Sequence, residues 1–118
     1  MEIGLKQLQF VNDAAQKETR DLPASIRSGI GFQLLRVQRG EMPADFKPMP
    51  SVGSGVLEIR VKDDQGNNTG RCFYVTKFGE TIWVLHSFVK KSRRTSRNDI
   101  EIGRNRYQEL LRRIEKAH

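Results

Sequence analysis

The stretch that decides the fold reads Val56-Leu57-Glu58-Ile59-Arg60-Val61-Lys62, then Asp63-Asp64-Gln65-Gly66-Asn67-Asn68-Thr69-Gly70, then Arg71-Cys72-Phe73-Tyr74-Val75-Thr76-Lys77-Phe78, then Gly79-Glu80, then Thr81-Ile82-Trp83-Val84-Leu85-His86-Ser87-Phe88. Val56, Glu58, Arg60 and Lys62 alternate with Leu57, Ile59 and Val61, the period-two pattern of a half-buried strand. The Asp/Asn/Gly-rich octet is a turn by composition. A calcium loop would need a bidentate glutamate at the twelfth position, which the sequence lacks. A second strand follows from about Arg71 to Phe78. Gly79-Glu80 makes a tight turn into a third strand, Thr81 to Phe88. Its Ile82-Trp83-Val84-Leu85 run is the mark of a central strand covered on both faces. Two consecutive hairpins imply an antiparallel sheet.

Upstream, Gln7 to Val11 is a short candidate strand. Asn12-Asp13 offers an N-cap, with Gln16 three residues after Asp13, so a helix is predicted from about Ala14 to Asp21. Pro23 forces Leu22 out of helical geometry and then suits the first position of a second helix. In that helix Ile26, Ile30, Leu34 and Val37 recur at spacings of four, four and three, one apolar stripe. Gly40 ends it. Gly29 and Gly31 inside it each cost about 1 kcal/mol relative to alanine, which predicts close packing at both. Glu41 to Ser54, with Pro43, Pro48 and Pro50, reads as a stiff surface loop. Downstream, Val89 to Arg97 is a basic loop. Ser96 with Asp99 suggests another cap, and a last helix runs from about Arg97 to Lys116 with Ile100, Tyr107, Leu110, Leu111 and Ile114 on one face. The expected architecture is therefore α+β: strand, helix, helix, three strands, helix.

The chain has 118 residues, 36% of them hydrophobic, and ten glycines; together these make about 44% apolar, near the globular norm. Its length fits a single domain over residues 1–118. Low-complexity fibres are excluded. No run approaches the length of a membrane span. Met1 to Lys6 lacks a basic-then-apolar signal pattern, and the lone Cys72 fits a reducing compartment, so a cytoplasmic location with no membrane partner is expected. The net charge of +7 is uneven: residues 1–86 hold 11 basic and 10 acidic side chains, residues 87–118 hold 10 basic and 4 acidic. That asymmetry points to a polyanionic partner.

Familiar constellations are missing. There is no nucleophile elbow, since Val52-Gly53-Ser54-Gly55 follows a proline-rich loop. Cys72, His86 and His118 have no zinc-ligand spacing, there is no phosphate loop, and no cofactor is called for. What remains is a set of cations at strand ends: Arg60, Arg71, Lys90 and Lys91. If the strands are neighbours, these converge on one surface. Phe73, Tyr74, Trp83 and Phe88 interleave with them, as rings that could stack unpaired bases. RNA cleavage through the 2′-hydroxyl needs a base, stabilisation of charge on phosphorus and an acid. Arginine suits the middle task, and a lysine among cations suits either of the others.

Gly55-Val56-Leu57-Glu58-Ile59-Arg60, Gly70-Arg71 with Tyr74, and Val84-Leu85-His86-Ser87-Phe88-Val89-Lys90-Lys91-Ser92 together resemble the phage-derived, HigB-like branch of the RelE/ParE toxin superfamily. Leu22-Pro23, Val37-Gln38-Arg39-Gly40, Pro43 and Lys47-Pro48-Met49 fit the same branch in the same order, so the resemblance spans about Gln7 to Arg106. It implies an antiparallel sheet with an N-terminal helical hairpin packed on one face and a C-terminal helix. It also implies the toxin of a type II toxin–antitoxin pair, cleaving mRNA at the ribosome without metal. The matching catalytic set is Arg71, Lys91, Lys90 and Arg60, with Arg71 holding the phosphate. Lys47, Arg93, Arg94 and Arg97 are the implied RNA contacts. The implied partners are mRNA, the ribosome and a helix-turn-helix antitoxin, through which alone operator DNA is reached. Some relatives have a catalytic tyrosine just after the basic segment. Here the first tyrosine beyond it is Tyr107, on the apolar helix face, so His86 or a lysine is left as the proton-transfer group. Two other readings stay open: a ParE-like toxin that binds DNA gyrase, and a non-catalytic nucleic-acid-binding module.

Overall fold

The computed structural model describes residues 4–91 and 94–117. In chain order the elements are β1 (Gln7–Phe10), α1 (Asp13–Arg20), α2 (Ala24–Gln38), β2 (Phe46–Pro48), β3 (Leu57–Lys62), β4 (Thr69–Val75), β5 (Thr81–Lys90) and α3 (Arg97–Ala117). The strands form one five-stranded sheet in the order β1-β5-β4-β3-β2.

Both hairpins form. In the first, the Asp63 carboxylate accepts the backbone N–H groups of Asn67 and Asn68 at 2.8 and 3.2 Å, and Gly66 takes the left-handed φ of 74° that a side chain would resist. The rest of the sheet departs from expectation. β1 runs parallel to β5, Gln7 opposite Thr81 and Phe10 opposite Val84, so the sheet is mixed rather than antiparallel. A hairpin encodes the direction of its own two strands. β1 has no hairpin partner, and its direction is set only when the helical crossover brings it alongside β5. The proline-rich loop also contributes a short edge strand, β2, opposite Leu57 to Ile59.

The helices do not form a hairpin on one face. α2 packs its predicted stripe of Ile26, Ile30, Leu34 and Val37 on Ile59, Cys72, Tyr74, Ile82 and Val84. α3 packs on the opposite face, with Tyr107 and Leu110 against Phe73, Phe88 and Leu85. α1 buries only Ala15, too thin in apolar surface to share the face α2 covers. It lies instead along β5 beyond the end of β1. There Glu18 accepts the Ser87 N–H at 3.4 Å, and Arg106 from α3 donates to the Leu85 carbonyl at 3.0 Å. Side chains thus complete the strand edge that β1 leaves unpaired.

Local signals mark the helix ends well. Asn12 accepts the Ala15 N–H at 2.9 Å as the cap of α1. Pro23 is the cap of α2 rather than its first residue. At the other end Gly40 has φ 85°, and the Glu41 and Gly40 amides reach back to the Arg36 and Val37 carbonyls, the paired bonds of a glycine-terminated helix. Gly29 meets the packing expectation, since a Cβ there would strike Val61; Gly31 does not, since a Cβ there would meet nothing within 4 Å.

One irregularity positions the functional face. The β4–β5 register slips between Phe73 and Tyr74, so Phe73 faces His86 while Tyr74 faces Val84. Leu85 is the extra residue of a β-bulge. Strict alternation would put His86, Phe88 and Lys90 on the face of Val84. The bulge turns them to the face of α3.

Candidate functional site

Residues opposite one another in neighbouring strands share a face. The register therefore lays out cross-strand rows under and beside α3. Glu58, Phe73 and His86 form one, Arg60, Arg71 and Phe88 the next, and Lys62, Thr69 and Lys90 the last. Lys47 on β2 stands opposite Glu58. The sheet does bring Arg60, Arg71 and Lys90 to one face, and it places carboxylates among them.

Arg71 is 1% exposed and Glu58 0%. The Arg71 Nη1 donates to the Thr95 hydroxyl at 2.8 Å and stands 4.0 Å from Glu58 Oε1. Thr95 in turn donates to Glu58 Oε2 at 2.7 Å. Arg60 Nε donates to Glu58 Oε1 at 2.9 Å. Burial pulls the Arg71 pKa down from its ordinary value and Glu58 works against that; a guanidinium stays charged through such a shift. One carboxylate thus serves two arginines, bridged by a threonine hydroxyl.

A second cluster adjoins it. His86 is buried, with Nδ1 2.8 Å from Glu18 Oε1 and Nε2 2.8 Å from Asp99 Oδ1. Both ring nitrogens thus face carboxylate oxygens, and Arg106 Nη1 also comes within 3.4 Å of Nδ1. The His86 ring stacks on Phe88 at 4.7 Å. Arg106 grips Glu18 through both terminal nitrogens, at 2.7 and 2.8 Å. Burial by itself raises the Glu18 pKa, and the hydrogen bonds from His86 and Arg106 outweigh it and hold the group at about 2. Asp99 behaves likewise: burial raises it, while Ser96, His86 and Lys90 hold it below its ordinary value. Lys90 Nζ lies 3.2 Å from Asp99 Oδ2.

Outside these clusters lies a group of exposed arginines. Arg94, Arg97 and Arg104 line a cleft of about 590 Å³ with Ser51, Thr95 and Glu101. Arg104 is anchored there by two hydrogen bonds to the Ser51 carbonyl, at 3.1 and 2.9 Å. Thr95 joins cleft and cluster, since its hydroxyl is the one bonded to Arg71. Lys47 and Lys91 are exposed. Arg93 lies outside the described residues.

Several expectations change. The interleaved aromatics are not free to stack bases: Phe73, Tyr74 and Phe88 are buried, and Arg113 covers the half-buried Trp83 at 5.2 Å. Tyr107 is packing, as its place on the apolar face suggests, with its hydroxyl on the Ser54 carbonyl. Cys72 is buried, and burial pushes its thiol up to about 12, which makes it inert. Sequence reasoning missed Glu58, Thr95, Glu18, Arg106 and Arg104. For Glu58 the signal was misleading, because it occupies a polar position of an alternating strand. Asp99 was visible only as a cap partner. It does play that part: its carboxylate accepts a hydrogen bond from the Ser96 hydroxyl while its own N–H donates to Ser96 Oγ. Among the described residues no group of three His, Cys, Asp or Glu side chains is placed to hold a metal ion.

Compared with known proteins, residues 17–108 match the family described as "Phage derived protein Gp49-like (DUF891)". No curated protein matches the chain.

Proposed function

The chain belongs to the phage-derived Gp49-like family, a RelE-like, toxin-like family, and on that premise we propose that it is the toxin of a type II toxin–antitoxin pair, of the HigB-like kind, acting as a ribosome-dependent mRNA endonuclease. The observation that carries this reading is the joining of an exposed arginine cleft to a face where Arg60, Arg71 and Lys90 converge. RNA phosphates meet Arg94, Arg97 and Arg104 first, and exposed Lys47 and Lys91 extend the basic surface. Arg71 lies one hydroxyl below the cleft, through Thr95. In the reaction the 2′-oxygen attacks the adjacent phosphorus, the 5′-oxygen leaves, and a cyclic phosphate remains. Charge builds on the phosphoryl oxygens, where guanidinium groups stabilise it. His86 is a poor proton carrier here, because both of its ring nitrogens are already engaged by carboxylates. That leaves exposed Lys91 as the proton-transfer group and Arg71 as the phosphate-stabilising one.

One observation favours a second reading. Arg71 is covered and shares Glu58 with Arg60, which a gyrase-binding toxin tolerates and a phosphate clamp must overcome. Inducible expression with mapping of mRNA 5′ ends separates the two. Ribosome-phased cuts that vanish with Lys91→Ala and fall at least tenfold with Arg97→Ala support the nuclease. Growth arrest with gyrase-linked DNA breaks and no phased cuts selects the gyrase binder.

A further inference from the structure

Three arginines line the cleft of about 590 Å³ beside α3, and one carboxylate, Glu101, lines it with them. The volume is that of a small-molecule pocket. Arg97, Glu101 and Arg104 stand at spacings of four and three along α3, so they share one face of the helix. That spacing ordinarily pairs a glutamate with an arginine. Here Arg104 is held by Ser51 instead, its Nε and Nη2 both donating to that carbonyl, at 3.1 and 2.9 Å. Glu101 is exposed and takes part in no ion pair among the described residues. Ile100, half-buried, supplies an apolar wall.

A cleft that only gripped phosphates would be weakened by a carboxylate, because like charges repel. A carboxylate is acceptor-only, so its place in a basic cleft fits a ligand that carries N–H donors beside its phosphates. RNA bases differ in what their Watson–Crick edges offer. Guanine presents N1–H and a 2-amino N–H side by side, matching the two oxygens of one carboxylate. Adenine and cytosine set a ring acceptor next to the amino group, and uracil flanks its one N–H with two carbonyls. Each of these three turns a lone pair toward a carboxylate that guanine meets with a second donor. We propose that Glu101 reads a guanine of single-stranded RNA in this cleft, its carboxylate accepting both N–H groups. The base lies against Ile100, and Arg94 and Arg97 hold the flanking phosphates. The assignment rests on the reading of the cleft as an RNA site and adds the base that it selects.

The test measures binding of the full chain to labelled RNA octamers of uridine that carry one central guanosine, inosine, adenosine or cytidine. The guanosine octamer is expected to bind roughly tenfold tighter than the adenosine and cytidine ones, the discrimination of a bidentate contact. Inosine, which lacks the 2-amino group, falls between. Glu101→Gln abolishes the preference without weakening the adenosine and cytidine octamers. Glu115→Gln, an equal loss of charge at an exposed position of α3, keeps it. Arg97→Ala weakens all four octamers alike, as loss of a phosphate contact does. Equal binding of the four by the unaltered chain, or a preference that survives Glu101→Gln, overturns the guanine assignment and leaves the RNA cleft standing. Failure of every octamer to bind overturns the RNA reading of the cleft and the assignment with it. Displacement of the guanosine octamer by an equal concentration of free GMP moves the site to a free nucleotide and overturns the assignment too.

Discussion

The two faces of the sheet are covered by different chemistry. Under α2 the packing is dry: Ile26, Ile30, Leu34, Ile59, Cys72, Tyr74, Ile82 and Val84 meet without a charge among them. Under and beside α3 the sheet buries Phe73, Leu85 and Leu110 together with Glu58, Arg71, His86, Thr95 and Asp99. Apart from buried Ser87, hydrogen-bonded to Thr19 at 2.6 Å, the first face is held by area and tolerates a filling of the right size. The second is held by geometry, because each buried charge is costly unless its partner is present. A fold that keeps one dry face can carry polar machinery on the other.

The largest effect that would break this contrast is at Glu58. Glu58→Ala leaves Arg71 buried beside Arg60 without their shared carboxylate and is expected to cost about 3–5 kcal/mol. Urea denaturation measures it. Adding Arg71→Met should restore part of the loss, and a double variant no more stable than the single would remove the ion cluster from the account.

Acid comes next. Glu18 and Asp99 both lie below their ordinary pKa when folded. Their contribution is therefore full above the unfolded values and is lost as pH falls; for Glu18 the window runs from 4.5 to about 2. The melting temperature should drop through that window, and Glu18→Gln should flatten the drop. An identical acid profile for the variant would contradict the pairing with His86 and Arg106.

Smaller and sign-revealing effects come from glycines. A Cβ at Gly103 would strike the Phe73 ring at 2.7 Å on the α3 face, and one at Gly70 would strike Ile26 Cγ2 at 2.1 Å on the α2 face. Each alanine should cost about 1–3 kcal/mol by overpacking. The relative loss in thermal denaturation tells which face yields more readily. Last, Gly31→Ala should stabilise the isolated chain by about 0.4–1 kcal/mol, because the added methyl is unopposed and alanine favours the helix. The neighbouring Gly29→Ala should destabilise it through Val61. Equal signs for the pair would contradict the difference in packing around the two glycines.

How legible each face was follows from the same difference. The stripe of Ile26, Ile30, Leu34 and Val37 was readable because apolar burial repeats with the helix period. Both hairpins were readable because turn chemistry is local: Asp63, Gly66 and Gly79 specify it with their immediate neighbours. The convergence of Arg60, Arg71 and Lys90 was inferred from strand adjacency. Their pairing with Glu58 and Asp99 was not, because a polar residue in an alternating strand looks the same whether water or a helix lies above it.

By itself the sequence determined the α+β class, the helix caps, the α2 stripe, the three-strand meander and the basic character of the last segment, all set by interactions within a few residues. The tertiary structure decided the rest. It fixed the parallel placement of β1, which no local signal encodes, and the position of α1 on the open edge of β5. Above all it decided the slip at Leu85. One residue of bulge moves His86, Phe88 and Lys90 from one face to the other, because side-chain direction along a strand has a period of two and a single extra residue inverts it.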